Sequence, residues 1–268
     1  MTSFGRLAYF LRRTWRLARL SPTRGRTLIG LWASRVSRRA GEWPRPYLVG
    51  NTMLWSRSID TVGIEETFLA GEYDSVAPLL RTRHAPTVLD LGANVGAFAA
   101  FVFGVCPSAR VLSVEPSPDT CALLERSRRA NPTVDWSVMQ AAVWTEPGTV
   151  TFASSGLSTG RRVEPTARGT TVPAVTLVSL VEQATAHDAR VALLKADIEG
   201  AEGAVLEQAA SLLDRVDALV VEVHPPRSNE AAVRRLLADA FPVVETVSGR
   251  RSAKPVFIAH RGAVEPAP

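Results

Sequence analysis

The chain has 268 residues, enough for one full α/β domain with an appended segment. Hydrophobic residues make up 46% and charged residues 21%, a globular balance, and no apolar run approaches the ~18 residues of a membrane-crossing helix. The net charge of +5 is unevenly placed: residues 1–50 hold eleven arginines and a single acid, Glu42, so the excess belongs to an N-terminal arm and the remainder has no cause to bind nucleic acid.

In chain order, the first twenty residues predict a helix, with Phe4, Leu7, Leu11, Trp15 and Ala18 at helical spacing and arginines largely on other faces. Such a helix either packs its stripe on the main domain or a second subunit, or lies on an anionic membrane as a peripheral contact. Arginines interrupt any signal-peptide apolar region. Pro44, Pro46, Gly50 and Gly63 mark residues 41–63 as a connector with short strands, and residues 1–62 are read as arm and connector. A second helical pattern covers Ile64–Arg83.

From Thr87 strands and helices alternate. The expected strands are Thr87–Leu91, Arg110–Glu115, Val134–Ala141, Val191–Asp197 and Asp217–Val223. The expected helices are Gly96–Val105, Asp119–Ala130, Thr176–Ala186, Gly200–Leu213 and Asn229–Phe241. Thr149–Ala153 and Thr171–Ala174 can pair as an insertion, and Val243–Val247 with Pro255–His260 flank Ser248-Gly249 as a hairpin. Alternation of this kind implies a mainly parallel sheet with helices on both faces. Cys106 and Cys121 fall on different elements and in no CxxC, which argues against a disulfide framework or zinc site and for a reducing, cytoplasmic setting.

The strongest local signal is Asp90-Leu91-Gly92-Ala93-Asn94-Val95-Gly96, between the first of these strands and its helix. Gly92 permits a sharp turn and Gly96 a close helix–strand approach, while Glu115 ends the next strand, where an acid can accept ribose hydroxyls. The pattern lacks both GxGxxG and GK[ST]. Asp90 would repel a pyrophosphate but suits a sulfonium or ammonium, so the turn favours a cationic nucleoside.

A second cluster, Lys195-Ala196-Asp197-Ile198-Glu199-Gly200-Ala201-Glu202, sits at the end of another strand and should face the same crevice. Glu199 or Glu202 can cap the following helix, and Asp197 is the better functional candidate. His224 either acts as a general base on a substrate hydroxyl or is a structural histidine. Asp197, Glu222 and His224 could also gather a divalent ion, although spacing alone assigns no metal ligand.

Val88–Gly96, Val114-Glu-Pro-Ser-Pro118 and Leu194–Glu202 together resemble the FkbM-type methyltransferases. Val172-Pro173 and Thr176-Leu177 fit the family's upstream stretch, with Val178 where an acid is frequent. The likeness spans roughly residues 87–245 within a domain read as 63–268. It implies an α/β, Rossmann-like, doubly wound class I methyltransferase fold, with a mainly parallel seven-stranded sheet ending in a C-terminal antiparallel hairpin. It further implies S-adenosylmethionine as donor and O-methylation of a hydroxyl on a sugar, glycolipid or secondary metabolite. Asp90, Gly92, Ala93, Asn94 and Gly96 would line the methionine and ribose part of the site. Glu115 would hold the ribose, Pro116 would shape the adjoining loop, and Gln140 and Ala141 would border the adenine. Asp197 and His224 remain the candidates for deprotonating the acceptor. Two other readings stay open: a nicotinamide-dependent oxidoreductase on a similar sheet, and a non-catalytic cofactor-binding module tethered by its basic arm. The acceptor and the oligomeric state, a homo-oligomer included, are not legible.

Overall fold

The computed structural model describes residues 3–37, 41–153, 162–163, 169–186, 190–247 and 254–262. Its arm holds two helices, α1 (Ser3–Arg19) and α2 (Arg24–Val36), then a hairpin of β1 (Arg45–Val49) and β2 (Thr52–Ser56). The sequence pattern missed α2, whose apolar residues are broken by Gly25 and Gly30. The expected stripe on α1 is also rolled. Thr14, Leu17 and Ala18 are buried, whereas Leu11 and Trp15 face outward. Polar contacts set that roll: Arg13 pairs with Glu65 and donates to Thr61 Oγ1 at 2.9 Å, and Arg16 donates to the Leu69 carbonyl at 3.0 Å.

The predicted helix over Ile64–Arg83 is broken into pieces. A short α3 (Val62–Glu65) runs into a π-helical turn, Glu66–Ala70, and ends at Gly71 in the left-handed region (φ 72°). A 3-10 turn then leads into α4 (Ala77–Arg81). Leu17, Leu31, Tyr47, Leu54, Val76 and Leu80 share one apolar core with Phe98 and Val102, so arm and domain are packed together.

The main elements follow in order as β3 (Thr87–Leu91), α5 (Ala97–Val105), β4 (Arg110–Val114), α6 (Pro118–Arg129) and β5 (Asp135–Met139). After them come β6 (Ala142–Val143), β7 (Gly148–Ala153), β8 (Arg162–Val163), β9 (Thr170–Val175), α7 (Leu177–Ala184) and β10 (Val191–Ala196). The chain then runs through α8 (Glu202–Gln208), β11 (Ala218–Glu222), α9 (Glu230–Ala240), β12 (Val243–Val247) and β13 (Val256–His260). The expected helix to Leu213 stops at Gln208 and continues only as a 3-10 turn. The inserted strands pair as expected, β7 antiparallel to β9, in a small sheet of order β6-β9-β7-β8.

The large sheet has the order β12-β13-β11-β10-β3-β4-β5, parallel except for β13, which lies antiparallel between β11 and β12. This is the class I methyltransferase sheet that the sequence implied. Alternate strand residues face opposite sides. Val88, Val111 and Leu193 join α5 and the arm, while Leu89, Val114 and Leu194 join α7, α8 and α9. Because both faces are covered, all six residues of β10 are buried, Lys195 included. Cys106 and Cys121 are buried and free. No helix among the described residues is long and apolar enough to cross a membrane.

Candidate active site

The glycine turn is built by backbone contacts. Gly92 takes φ 75° and a Cβ there would lie 1.8 Å from the Asp197 carbonyl oxygen, so only glycine lets the β3 and β10 ends meet. Gly96, at φ 92°, would drive a Cβ into the Trp136 ring at 2.6 Å. The amides of Gly92 and Ala93 both donate to the Val114 carbonyl. Glu115, nearly buried, accepts from the Asn94 amide on one oxygen and the Ser117 amide on the other, each at 2.9 Å. Asn94 adopts φ 51°, and its buried Oδ1 has no hydrogen-bond partner, leaving an acceptor for a bound group. Pro116 is half-buried beside Glu115; beyond β5, Gln140 is exposed and Ala141 buried.

Asp90 lies beneath this turn rather than on the crevice wall that the sequence suggested. Its carboxylate is fully buried, 3.5 Å from Lys195 Nζ, and accepts from Ser113 Oγ, which in turn accepts from Trp136 Nε1. Burial raises the Asp90 pKa, against the pull of Lys195 and Ser113. Lys195 also donates to the Gly92 carbonyl at 2.9 Å and lies 3.5 Å from Asp197. Burial works to lower the Lys195 pKa, but Asp197, Asp90, Glu222 and Glu72 together raise it. Lys195 is therefore a fixed cation that ties the two strand ends together.

The opposite wall is made of ionisable side chains. Glu202, fully buried, accepts from the amides of Ile198 and Gly200 and from His224 Nδ1 at 2.7 Å. Glu202 thus ties the loop ahead of α8 rather than capping that helix, whose N-terminus has no side-chain cap bond, and it orients the imidazole. With Nδ1 carrying the proton it donates to Glu202, Nε2 is an acceptor; Lys254 Nζ lies 2.6 Å away, Glu199 at 3.2 Å and Asp197 at 3.6 Å. Burial works against a charge on His224, but the Glu202 hydrogen bond and the fields of Asp197, Glu202 and Glu199 outweigh it, so its pKa is raised. Burial and Asp197 push Glu199 up to about 7. Asp197, Glu199 and His224 bring three ligand atoms within 4.8 Å of one another, a set that fits a divalent ion. Among the expected trio, Glu222 instead faces Lys254, at 3.6 Å, and the Lys254 ammonium already serves the acceptors of this set.

Between the walls lies a cavity of ≈ 50 Å³ lined by Gly92, Ala93, Asn94, Asp197 and Glu222, and also by Glu66 and Glu72 from the α3 segment. Its volume is that of a small group rather than of a whole nucleoside. Burial and neighbouring acids raise Glu66 to about 8 and Glu72 to about 7. Sequence reasoning missed both, because they belong to no motif and lie upstream of the glycine turn. The acid run around Glu65-Glu66 was the one available signal.

The Methyltransferase FkbM domain matches this chain over residues 90–243, more than half its length. The chain belongs to the FkbM methyltransferase family. A hexuronic acid methyltransferase, AglP of Haloferax volcanii, is 31% identical over 160 residues, which are 58% of this chain and 64% of that protein. The match thus spans less than two thirds of that relative. Among solved structures, Trm5b from Pyrococcus abyssi covers 82% of this chain and 56% of its own, at 14% identity and a TM-score of 0.46. A precorrin-6y C5,15-methyltransferase from Geobacter metallireducens covers 70% and 85%, at 14% identity and 0.40. Membership in the FkbM family favours the methyltransferase reading over the nicotinamide one.

Proposed function

We propose that this FkbM methyltransferase transfers a methyl group from S-adenosylmethionine to a hydroxyl, with a sugar as the acceptor class and His224 as the general base. The observation that carries the reading is the Glu202–His224 pair, whose imidazole lies 3.6 Å from Asp197, a residue that lines the acid-rich cavity beside the glycine turn. S-adenosylmethionine, with a sulfonium and an ammonium against one carboxylate, supplies an electrophilic methyl and a net positive charge.

The residues fit that donor. Glu66, Glu72 and Asp197 crowd negative charge around a cavity of ammonium size, and the raised values of Glu66 and Glu72 mark a site that gains from a cationic occupant. Glu115 and the free Asn94 Oδ1 offer acceptors on the ribose side, and Gly92 and Gly96 clear the backbone for close approach. An acceptor hydroxyl entering between Asp197 Oδ1 and His224 Nε2 replaces Lys254 as the imidazole's partner. Nε2 takes the proton as the oxygen forms its bond to the methyl carbon and the sulfur keeps the electrons of the broken bond. One positive charge thereby moves from the donor to the imidazole, where Glu202 receives it. Asp197 orients the hydroxyl. Should a divalent ion occupy Asp197, Glu199 and His224, it would instead acidify the hydroxyl directly.

The sugar class rests on the hexuronic acid methyltransferase relative. A cytoplasmic setting, with both cysteines reduced, belongs to the same reading. Labelled-methyl transfer into hexuronic acid-bearing saccharides, neutral saccharides and lipid fractions tests it. Label should enter a saccharide as a base-stable ether, and should be lost with His224→Ala. Label only in amine or thiol products, or none with donor bound, would sink the assignment.

A further inference from the structure

Every large hydrophobic side chain that is exposed among the described residues lies between Tyr9 and Leu48, with Ile29 at 72%, Trp43 at 71% and Trp15 at 59% exposure. The rest of the described surface exposes no large hydrophobic side chain, so this clustering calls for a partner. Leu11 and Trp15, four residues apart, share one face of α1, and Ile29 and Trp32, three apart, share one face of α2. The Trp32 ring meets Phe10 edge-on at 5.3 Å, which sets the apolar residues of the two helices side by side. Arg12, Arg19, Arg24 and Arg26 are exposed on the same helices, and none has an acidic partner among the described residues.

The chemistry of this face selects its occupant. Aromatic rings and arginines alone would suit a nucleic acid, but Leu11, Ile29 and Leu48 have no π-face to stack on a base and gain only from leaving water. A symmetric contact with a second copy would set Arg12, Arg19, Arg24 and Arg26 against the same charges, a repulsive arrangement. A bilayer with anionic headgroups meets both needs at once, since tryptophans settle at the headgroup level and arginines pair with phosphates.

We propose that the outward face of α1 and α2, with Trp43, docks flat on an anionic phospholipid bilayer without crossing it. The proposal is independent of the active-site reading. The test is flotation of the full chain with phosphatidylcholine vesicles, with and without a third of phosphatidylglycerol. Binding to the anionic vesicles should exceed binding to the neutral ones by at least about tenfold, given roughly 1 kcal/mol per arginine near such a surface, and should weaken with salt. Trp15→Ser with Trp32→Ser and Trp43→Ser should lower binding to anionic vesicles by about tenfold or more, since each ring contributes buried apolar area. Arg12→Gln with Arg19→Gln, Arg24→Gln and Arg26→Gln should remove the preference for phosphatidylglycerol. A readout free of variants is quenching of the wild-type tryptophan fluorescence by lipids brominated on the acyl chain. No flotation and no quenching overturn the proposal. So does binding to an RNA oligonucleotide in place of vesicles, or a concentration-dependent dimer in which these tryptophans become protected.

Discussion

The two walls of the crevice are made differently. On the β3–β4 side, Gly92, Ala93 and Asn94 are fixed by backbone amides, two carbonyls and a doubly engaged Glu115, with van der Waals contact leaving no room for a side chain. On the β10–β11 side, Asp197, Glu199, Glu202, His224 and Lys254 hold one another through charge. The first wall is set by sterics and changes little with pH. The second can load, hold and release a proton. On the proposed reading, geometry fixes where the donor sits, and titratable groups decide when the acceptor reacts.

Four experiments bear on this division. The largest effect belongs to the steric wall: Gly92→Val should abolish S-adenosylhomocysteine binding in calorimetry, because even its Cβ would lie 1.8 Å from the Asp197 carbonyl. Retained affinity would show that the wall yields. Next comes the proton. His224→Ala should lower kcat by about 10²–10⁴ with product affinity little changed, and Glu202→Gln should give a smaller loss with an altered pH profile. A parallel fall in donor affinity would erase the distinction between the walls.

Third is pH. Glu66 and Glu72 ionise only at about 8 and about 7, so S-adenosylmethionine should bind more tightly as pH rises from 6 to 9, by roughly tenfold on the scale of one pKa unit. Neutral S-adenosylhomocysteine should respond less, and Glu66→Gln should flatten the difference. The donor-free fold behaves oppositely. It binds protons at these sites more tightly than the unfolded chain, so its stability falls as pH rises from the ordinary carboxylate range through about 7 and about 8. Melting curves across that range, with and without donor, read both slopes. The smallest effect is a control far from the crevice. Asp217 pairs with Arg83 and half-exposed Arg190, each at 2.5 Å, and Asp217→Asn should cost about 1 kcal/mol in denaturation while leaving kcat and KM alone.

The legibility of this molecule follows the same division. Strands buried on both faces write themselves as apolar runs, so β3, β10 and β11 could be bounded within a residue or two. Gly92 and Gly96 were legible because only glycine meets their backbone demands. Asp90 was recognised but placed wrongly: sequence locates a carboxylate at a strand end without saying whether it faces the ligand or a buried lysine. The pairing of Glu202 with His224 joins residues 22 apart on different strand ends and needs the sheet order to be seen. Glu66 and Glu72 were invisible because their role depends on a π-helical turn, whose extra residue upsets the periodicity from which helices are read.

Arg13 and Arg16 grip the very turn that carries Glu66, and Leu54, Val76 and Leu80 cover the helix that begins at the glycine loop. The segment that matches the family, residues 90–243, is therefore not a portable unit. Cut out at those limits, it would lose two of the acids that line the cavity and bare Phe98 and Val102 to water. Affinities measured on such a fragment would report a damaged cavity rather than a minimal enzyme.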